Sequence, residues 1–343
     1  MDLSCCKNST VLYSMETIAV KPNLCEAPGE RSVTTDEGGG NVFVLAHFSD
    51  PHLSSLKGVP FTALLNKRLL GYLSWYHRRR HVHCPHILDA LLRDIGEVSP
   101  DHVAVTGDLT HLGLPDEFRQ AARWLQQLGA PDRITVIPGN HDAYVPEPWE
   151  ETFREWAAYL AGDEPAADGT YPMLRVRGPA ALIGLSSARP SAPFLAVGSL
   201  GRGQLARFEK ILEETGRRGL LRIVLLHHPP VPGSIARRKR LTDAGLLAEV
   251  LGRQGAEVIL HGHAHLSMAH RLVAGTKNIP VFGVPSASHS PSNRQRAARY
   301  HLCRFERRGD GWVMLLTERV YSAADDRFVM ARERELFLPV QRP

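Results

Sequence analysis

Six short apolar runs, each ending in a cluster of turn-forming or polar residues, constrain this chain more than any other feature. They are VFVLAHF before Asp50, HVAVTG before Asp108, RITVIPG before Asn140, ALIGLSS, LRIVLLHHPP and EVILHGH. Runs of this length, bounded by Gly and Pro, read as buried strands. Between them lie stretches of helical periodicity: 85–98 with Pro85 in its first turn, 115–129, 147–162, 201–216 and 241–255. The alternation lasts to about residue 268. Strand patterns then dominate in AHRLV, IPVFGV, ARYHLCRFER and GWVMLLTERVYS. This order predicts an α/β sheet that continues into, or packs against, a second β-rich sheet.

The 343 residues suffice for one large domain. Residues 1–40 lack periodicity and end in Gly38-Gly39-Gly40, so they are expected to form a disordered leader. The domain is expected to run over 41–322, with an insertion at 61–83 and a C-terminal extension at 323–343. No apolar run approaches the roughly 20 residues of a spanning helix. The start has no basic region followed by an apolar stretch, as a signal peptide would. Three of the five cysteines fall within the first 25 residues, and none forms a CxxC pair. A reducing, cytoplasmic compartment is therefore expected.

The strand ends carry the chemistry. Asp50-Pro51-His52, Gly107-Asp108, Gly139-Asn140-His141-Asp142, His227-His228-Pro229 and Gly262-His263-Ala264-His265 all follow apolar runs. In open α/β sheets the carboxyl edge of the strands is where sites are built. Two adjacent cations need a carboxylate between them, and Asp108 suits that bridge. The mixture of carboxylate, imidazole and amide oxygen suits Mn, Fe, Zn or Co, and gives Ca little reason to bind. Two such metals would polarise a phosphoryl oxygen and generate a metal-bound hydroxide for in-line attack on phosphorus.

In this order the five blocks resemble the calcineurin-like metallophosphoesterase superfamily, over residues 43–268. The resemblance implies a four-layer α/β/β/α sandwich of two mixed sheets flanked by helices, with a dinuclear site between the sheets. It implies that Asp50, His52 and His265 hold one divalent metal, and Asn140, His227 and His263 the other, with Asp108 bridging. His141 would lie near the phosphate, stabilising charge or protonating the leaving oxygen, and Asp142 would orient its ring. His228 and His261 match no ligand position. LLHHPP, GHAH and the GRGQLARFEKIL helix resemble bacterial cyclic-nucleotide phosphodiesterase-like members. The expected activity is therefore hydrolysis of a phosphodiester. The alternatives are a phosphomonoesterase, or a membrane-surface pyrophosphatase acting on a UDP-linked diacyl sugar.

The insertion FTALLNKRLLGYLSWYHRRRHVH carries Lys67, Arg68, Arg78, Arg79 and Arg80 with no acid, interleaved with leucines and aromatics. It reads either as a helix packed on the domain with a solvated basic end, or as an interfacial helix meeting an anionic membrane. On the second reading the protein would sit peripherally at the inner membrane. The net charge of +5 is too small to favour nucleic acid as a partner. The run Arg237-Arg238-Lys239-Arg240 is either a solvated loop or a lid gripping substrate phosphate.

Overall fold

A computed structural model describes residues 42–53, 55–164 and 171–341 of the chain. The expected disordered leader, 1–40, lies outside the described residues. Twelve strands and six α-helices follow in chain order: β1 (Phe43–Phe48), α1 (Arg68–His77), α2 (Pro85–Val98), β2 (His102–Val105), α3 (Pro115–Leu128), β3 (Ile134–Val136), α4 (Ala157–Leu160), β4 (Met173–Arg177), β5 (Ala180–Gly184), α5 (Arg202–Arg217), β6 (Leu221–Leu226), α6 (Ala244–Gln254), β7 (Val258–His261), β8 (Met268–Ala274), β9 (Lys277–Gly283), β10 (Arg299–Arg308), β11 (Gly311–Ser322) and β12 (Arg327–Pro339).

The strands form two six-stranded sheets, ordered β12-β11-β10-β1-β2-β3 and β4-β5-β6-β7-β9-β8. Both are mixed. β1, β2 and β3 run parallel while β10 joins β1 antiparallel, and β5, β6, β7 and β9 run parallel between antiparallel edges β4 and β8. Parallel strands covered on both faces read as near-continuous apolar runs, with any buried charge paired. β6 accordingly buries all six of its residues.

Three apolar cores define the layers. Leu45, Ala104, Ile137, Leu182, Leu225 and Leu260 meet between the sheets. Ile87, Leu91, Phe118 and Leu125 cover the outer face of the first sheet, and Phe208, Leu212, Leu247 and Leu251 that of the second. The result is the four-layer α/β/β/α sandwich.

Two expectations need correction, and one strand lies where the sequence pattern gave none. Residues 327–339, placed in a C-terminal extension, form the edge strand β12 along the length of β11. Its middle, ARERELF, has no apolar run because only the ends reach the core, at Phe328 and Leu338. Cross-strand pairing holds the rest, as where Thr317 Oγ1 donates to Glu333 Oε1 at 2.8 Å. The helix expected over 147–162 is instead two 3-10 turns, 149–151 and 153–156, followed by the single turn α4. Aromatic packing overrides helical periodicity there: Phe153 and Trp156 both close on Phe118, and Trp156 Nε1 donates to the Phe118 carbonyl at 3.0 Å. Strand β4 had no apolar signature because Arg175 sits at its centre, buried and bonded to the carbonyls of Ala158, Ala161, Pro131 and Ile134.

Candidate metal centre

The carboxyl ends of β1, β2 and β3 in one sheet and of β6 and β7 in the other converge, and the five polar blocks meet there. Asp50 donates its backbone N–H to the Gly107 carbonyl at 2.9 Å, and His52 donates its own to the Asp108 carbonyl at 3.1 Å. The second sheet is tied in at the same level, where His227 Nδ1 meets the Thr106 carbonyl at 2.6 Å.

Eight non-glycine residues with positive φ stand among the described residues, and five are Asp50, His52, Asp108, His263 and His265, at φ between 44° and 66°. Left-handed backbone is unfavourable for such residues and collects at functional sites, so its concentration on these five separates them from ordinary loop residues. Neighbouring glycines make the turns possible. A Cβ on Gly262 would fall 2.6 Å from Asp50 Oδ2, and Gly107 adopts φ +93° with Gly139 packed against it.

Hydrogen bonds fix which nitrogen each imidazole offers. His52 Nδ1 donates to the Thr110 carbonyl at 2.8 Å, leaving Nε2 buried and without a hydrogen-bond partner among the described residues. His227 Nδ1 donates to Thr106, so Nε2 faces Asp108 Oδ2 at 3.3 Å and Asn140 Oδ1 at 3.2 Å. His263 Nε2 donates to the Lys239 carbonyl at 3.0 Å, which leaves Nδ1 for the site. His265 Nε2 lies 3.0 Å from Asp50 Oδ1. This pattern, one nitrogen on a carbonyl and the other aimed inward, orients metal-binding histidines.

Two groups of donor atoms result. Those of Asp50, His52, Asp108 and His265 lie within 4.8 Å of one another, and so do those of Asp108, His227 and His263. Asp108 belongs to both. Around His227 Nε2 two oxygen acceptors crowd a nitrogen whose partner ring atom already donates elsewhere. Without a metal, only a proton on Nε2 reconciles them. Against burial, which lowers it, the charge and hydrogen bond of Asp108 raise the His227 pKa to about 9. In Asp108, burial opposes ionisation, but the charge and hydrogen bond of His227 hold its pKa well below the usual carboxylate range. A divalent cation would take the place of that proton. The unpartnered Nε2 of His52 and these crowded acceptors are what a metal requires, so the residues fit one.

His141 stands beside the donors. Its Nδ1 donates to the His111 carbonyl at 2.6 Å, and Arg79 Nη1 donates to its Nε2 at 2.9 Å. Burial and the Arg79 charge lower its pKa to about 3, so the ring is neutral. Asp142 does not orient this ring. Its oxygens accept from the backbone N–H of Asp108, Thr110 and Gly139 and from Thr110 Oγ1, at 2.8–3.0 Å. It clamps the turn bearing Asp108 to the turn bearing Asn140. Burial and the neighbouring Asp108 charge push its pKa up to about 7, against those N–H bonds. Asp142 is thus a positioning residue.

His228, which matched no ligand position, pairs its Nδ1 with Ser187 Oγ at 2.7 Å. His261 packs under Gly283 with Nδ1 on the Gly262 carbonyl at 3.0 Å. The sequence did not single out Arg79, His83 or His111 as neighbours of the centre. His83 and His111 flank the His52 ring at centroid distances of 4.5 and 4.9 Å. Their only signal was a histidine near a block: His111 three residues after Asp108, and His83 inside the insertion.

No helix among the described residues is long and apolar enough to cross a membrane. Similarities to known proteins agree with the geometry. A probable cyclic nucleotide phosphodiesterase of Rhodococcus erythropolis is 31% identical over 172 residues, covering 49% of this chain and 52% of that protein. A second, from Synechococcus, is 30% identical over 179 residues, covering 51% of this chain and 62% of its own length. The matches thus span only about half to three-fifths of these relatives. Among solved structures, a dimetal phosphatase from Danio rerio shares the fold with a TM-score of 0.56 at 14% identity, over 87% of this chain and 99% of that one. A purple acid phosphatase from yellow lupin gives 0.54 at 12%, over 87% of this chain and 54% of that one. Residues 43–267 match the calcineurin-like phosphoesterase family as a whole, and the chain belongs to it.

Proposed function

We propose that this protein is a metal-dependent phosphoric ester hydrolase that binds two divalent ions and cleaves phosphodiesters. One observation carries the reading: two donor groups share Asp108. That is the arrangement two neighbouring cations need. In this reading Asp50, His52 and His265 hold one ion, Asn140, His227 and His263 the other, and Asp108 bridges. Mn, Fe, Zn or Co suits these donors. When bound, such a pair places positive charge against the phosphoryl oxygens and lowers the pKa of an attacking water.

The chain's own residues do the rest. The carbonyls of Thr110, Thr106 and Lys239 hold the rings of His52, His227 and His263 in one tautomer each. Asp142 keeps the two turns in register. His141 Nε2 accepts from Arg79 beside the donors; when substrate draws Arg79 away, the freed Nε2 would face the phosphate or the leaving oxygen. The family and the relatives described as probable cyclic nucleotide phosphodiesterases support a diester as substrate.

The test is hydrolysis of bis-p-nitrophenyl phosphate against p-nitrophenyl phosphate, by metal-stripped protein reconstituted with Mn²⁺. A diester preference is expected. A monoester preference would move the assignment to a phosphatase.

A second reading concerns location. α1 turns Leu70, Leu73 and Tyr76 outward, and Phe61 and Leu65 are two-thirds exposed beside it. Arg78 and Arg80 are exposed at its end. An apolar outer face rimmed by arginines suits the surface of an anionic membrane, where a UDP-linked diacyl sugar could be reached as a pyrophosphate substrate. Sedimentation with anionic liposomes tests this. Equal recovery of wild type and an Arg78→Ser/Arg80→Ser variant in the supernatant would sink it.

A further inference from the structure

Among the described residues, the buried arginines Arg68 and Arg222 are held by several acceptors each. Arg68 donates to the carbonyls of Leu112 and Gly113 and to Glu147, and Arg222 donates to both oxygens of Glu257 and to the Gln254 carbonyl. Arg79 is different. Its only partner among the described residues is the ring of His141, and no carboxylate or carbonyl accepts from it. A guanidinium has five N–H donors in a planar fork matched to phosphate. Held half-buried beside Asp50 and Asp108, most of that fork lacks an acceptor.

The backbone that delivers Arg79 is fastened to the centre. Val82 and His83 donate to the Arg79 carbonyl at 2.9 and 3.1 Å, and Cys84 N donates to the Ser288 carbonyl at 2.9 Å. Two residues before Ser288, Ser286 Oγ donates to the Asp50 carbonyl at 2.7 Å. The other end of the insertion is anchored by Arg68. Arg79 is therefore placed by the fold and is not a solvated chain end.

We infer that Arg79 is a substrate-binding residue that donates from its free guanidinium N–H groups to a non-bridging phosphoryl oxygen at the metal centre. The inference rests on the phosphoester-hydrolase reading and gives the 61–83 insertion a role in that site. His141 is the tether that keeps Arg79 in place before substrate arrives.

The test uses full-length, Mn²⁺-reconstituted protein and inorganic phosphate as the probe, with binding read by calorimetry and metal content by elemental analysis. Arg79→Gln is expected to weaken phosphate about ten- to hundredfold, with metal content and thermal midpoint unchanged. Arg79→Lys, which keeps the charge and loses the fork, is expected to recover part of the loss. Equal phosphate affinity in wild type and Arg79→Gln overturns the inference and leaves the hydrolase reading standing. Loss of metal or a lowered midpoint in both variants overturns it in favour of a structural role. Metal-loaded wild type that neither binds phosphate nor hydrolyses either nitrophenyl ester would overturn both.

Discussion

A histidine ring can offer a metal only the nitrogen that it has not committed elsewhere. In this centre three such commitments are explicit, to the carbonyls of Thr110, Thr106 and Lys239. Asp108 is the residue on which the two donor groups depend. Replacing it with Asn keeps the shape and removes the charge that would offset two cations. Asp108→Asn is expected to cut turnover by more than about 100-fold, the upper range for losing a mere outer partner, and to lower bound metal by elemental analysis. Retention of full metal content would contradict the bridging role. His141 stands outside the donor groups, so His141→Ala is expected to lower kcat by roughly 100- to 10,000-fold, the usual range for a general acid or base. Its metal content should stay near wild type. An emptied site would show that the ring acts on metal binding instead. These residues were legible in the sequence because a metal demands particular atoms after particular strands. Arg79 was not, because a basic run looks the same whether it faces water or a phosphate.

At the scale of elements, the insertion shows how a solvent-like sequence becomes part of a site. α1 buries Trp75 in a small apolar cluster and Arg68 beside it, while Leu70, Leu73 and Tyr76 turn outward. Arg68 is what fastens it. Arg68→Ala would leave the Leu112 and Gly113 carbonyls and Glu147 without their donor. The expected cost is about 3 kcal/mol in urea denaturation, and a loss under about 1 kcal/mol would mean that the helix is held by other contacts. The strands of the parallel cores were readable because burial on both faces leaves no choice but apolar residues. β4 and β12 were not, since each carries arginines where the pattern asks for apolar side chains. In β4 the arginine is buried on carbonyls. In β12 charged side chains stand at an edge, where the ladder and cross-strand pairs hold the middle of the strand. The 147–162 segment had helical periodicity, but packing of its aromatics on Phe118 decided its form.

At the scale of the whole molecule, two sheets are joined face to face and several histidines are buried neutral between or against them. His102 and His301 lie away from the donor groups, and burial lowers their pKa to about 3 and about 4. Both values are below the roughly 6.5 of an unfolded chain, so unfolding takes up protons once the pH falls under 6.5. The stability these rings contribute is complete above that pH and is lost progressively toward pH 4, at about 1.4 kcal/mol per pH unit for each ring. Urea midpoints should therefore fall between pH 7 and pH 5, and His102→Gln should flatten the slope. Constant midpoints across that range would show that the rings titrate normally.

The central claim is that the two sheets meet to hold a pair of metals sharing Asp108. The most direct test is titration of Mn²⁺ into metal-stripped protein, following bound metal and bis-p-nitrophenyl phosphate turnover together. The expected result is saturation at about two equivalents per chain, the count a two-metal site requires, with activity rising on the second. Full activity at one equivalent, or turnover that persists without metal, would contradict the claim.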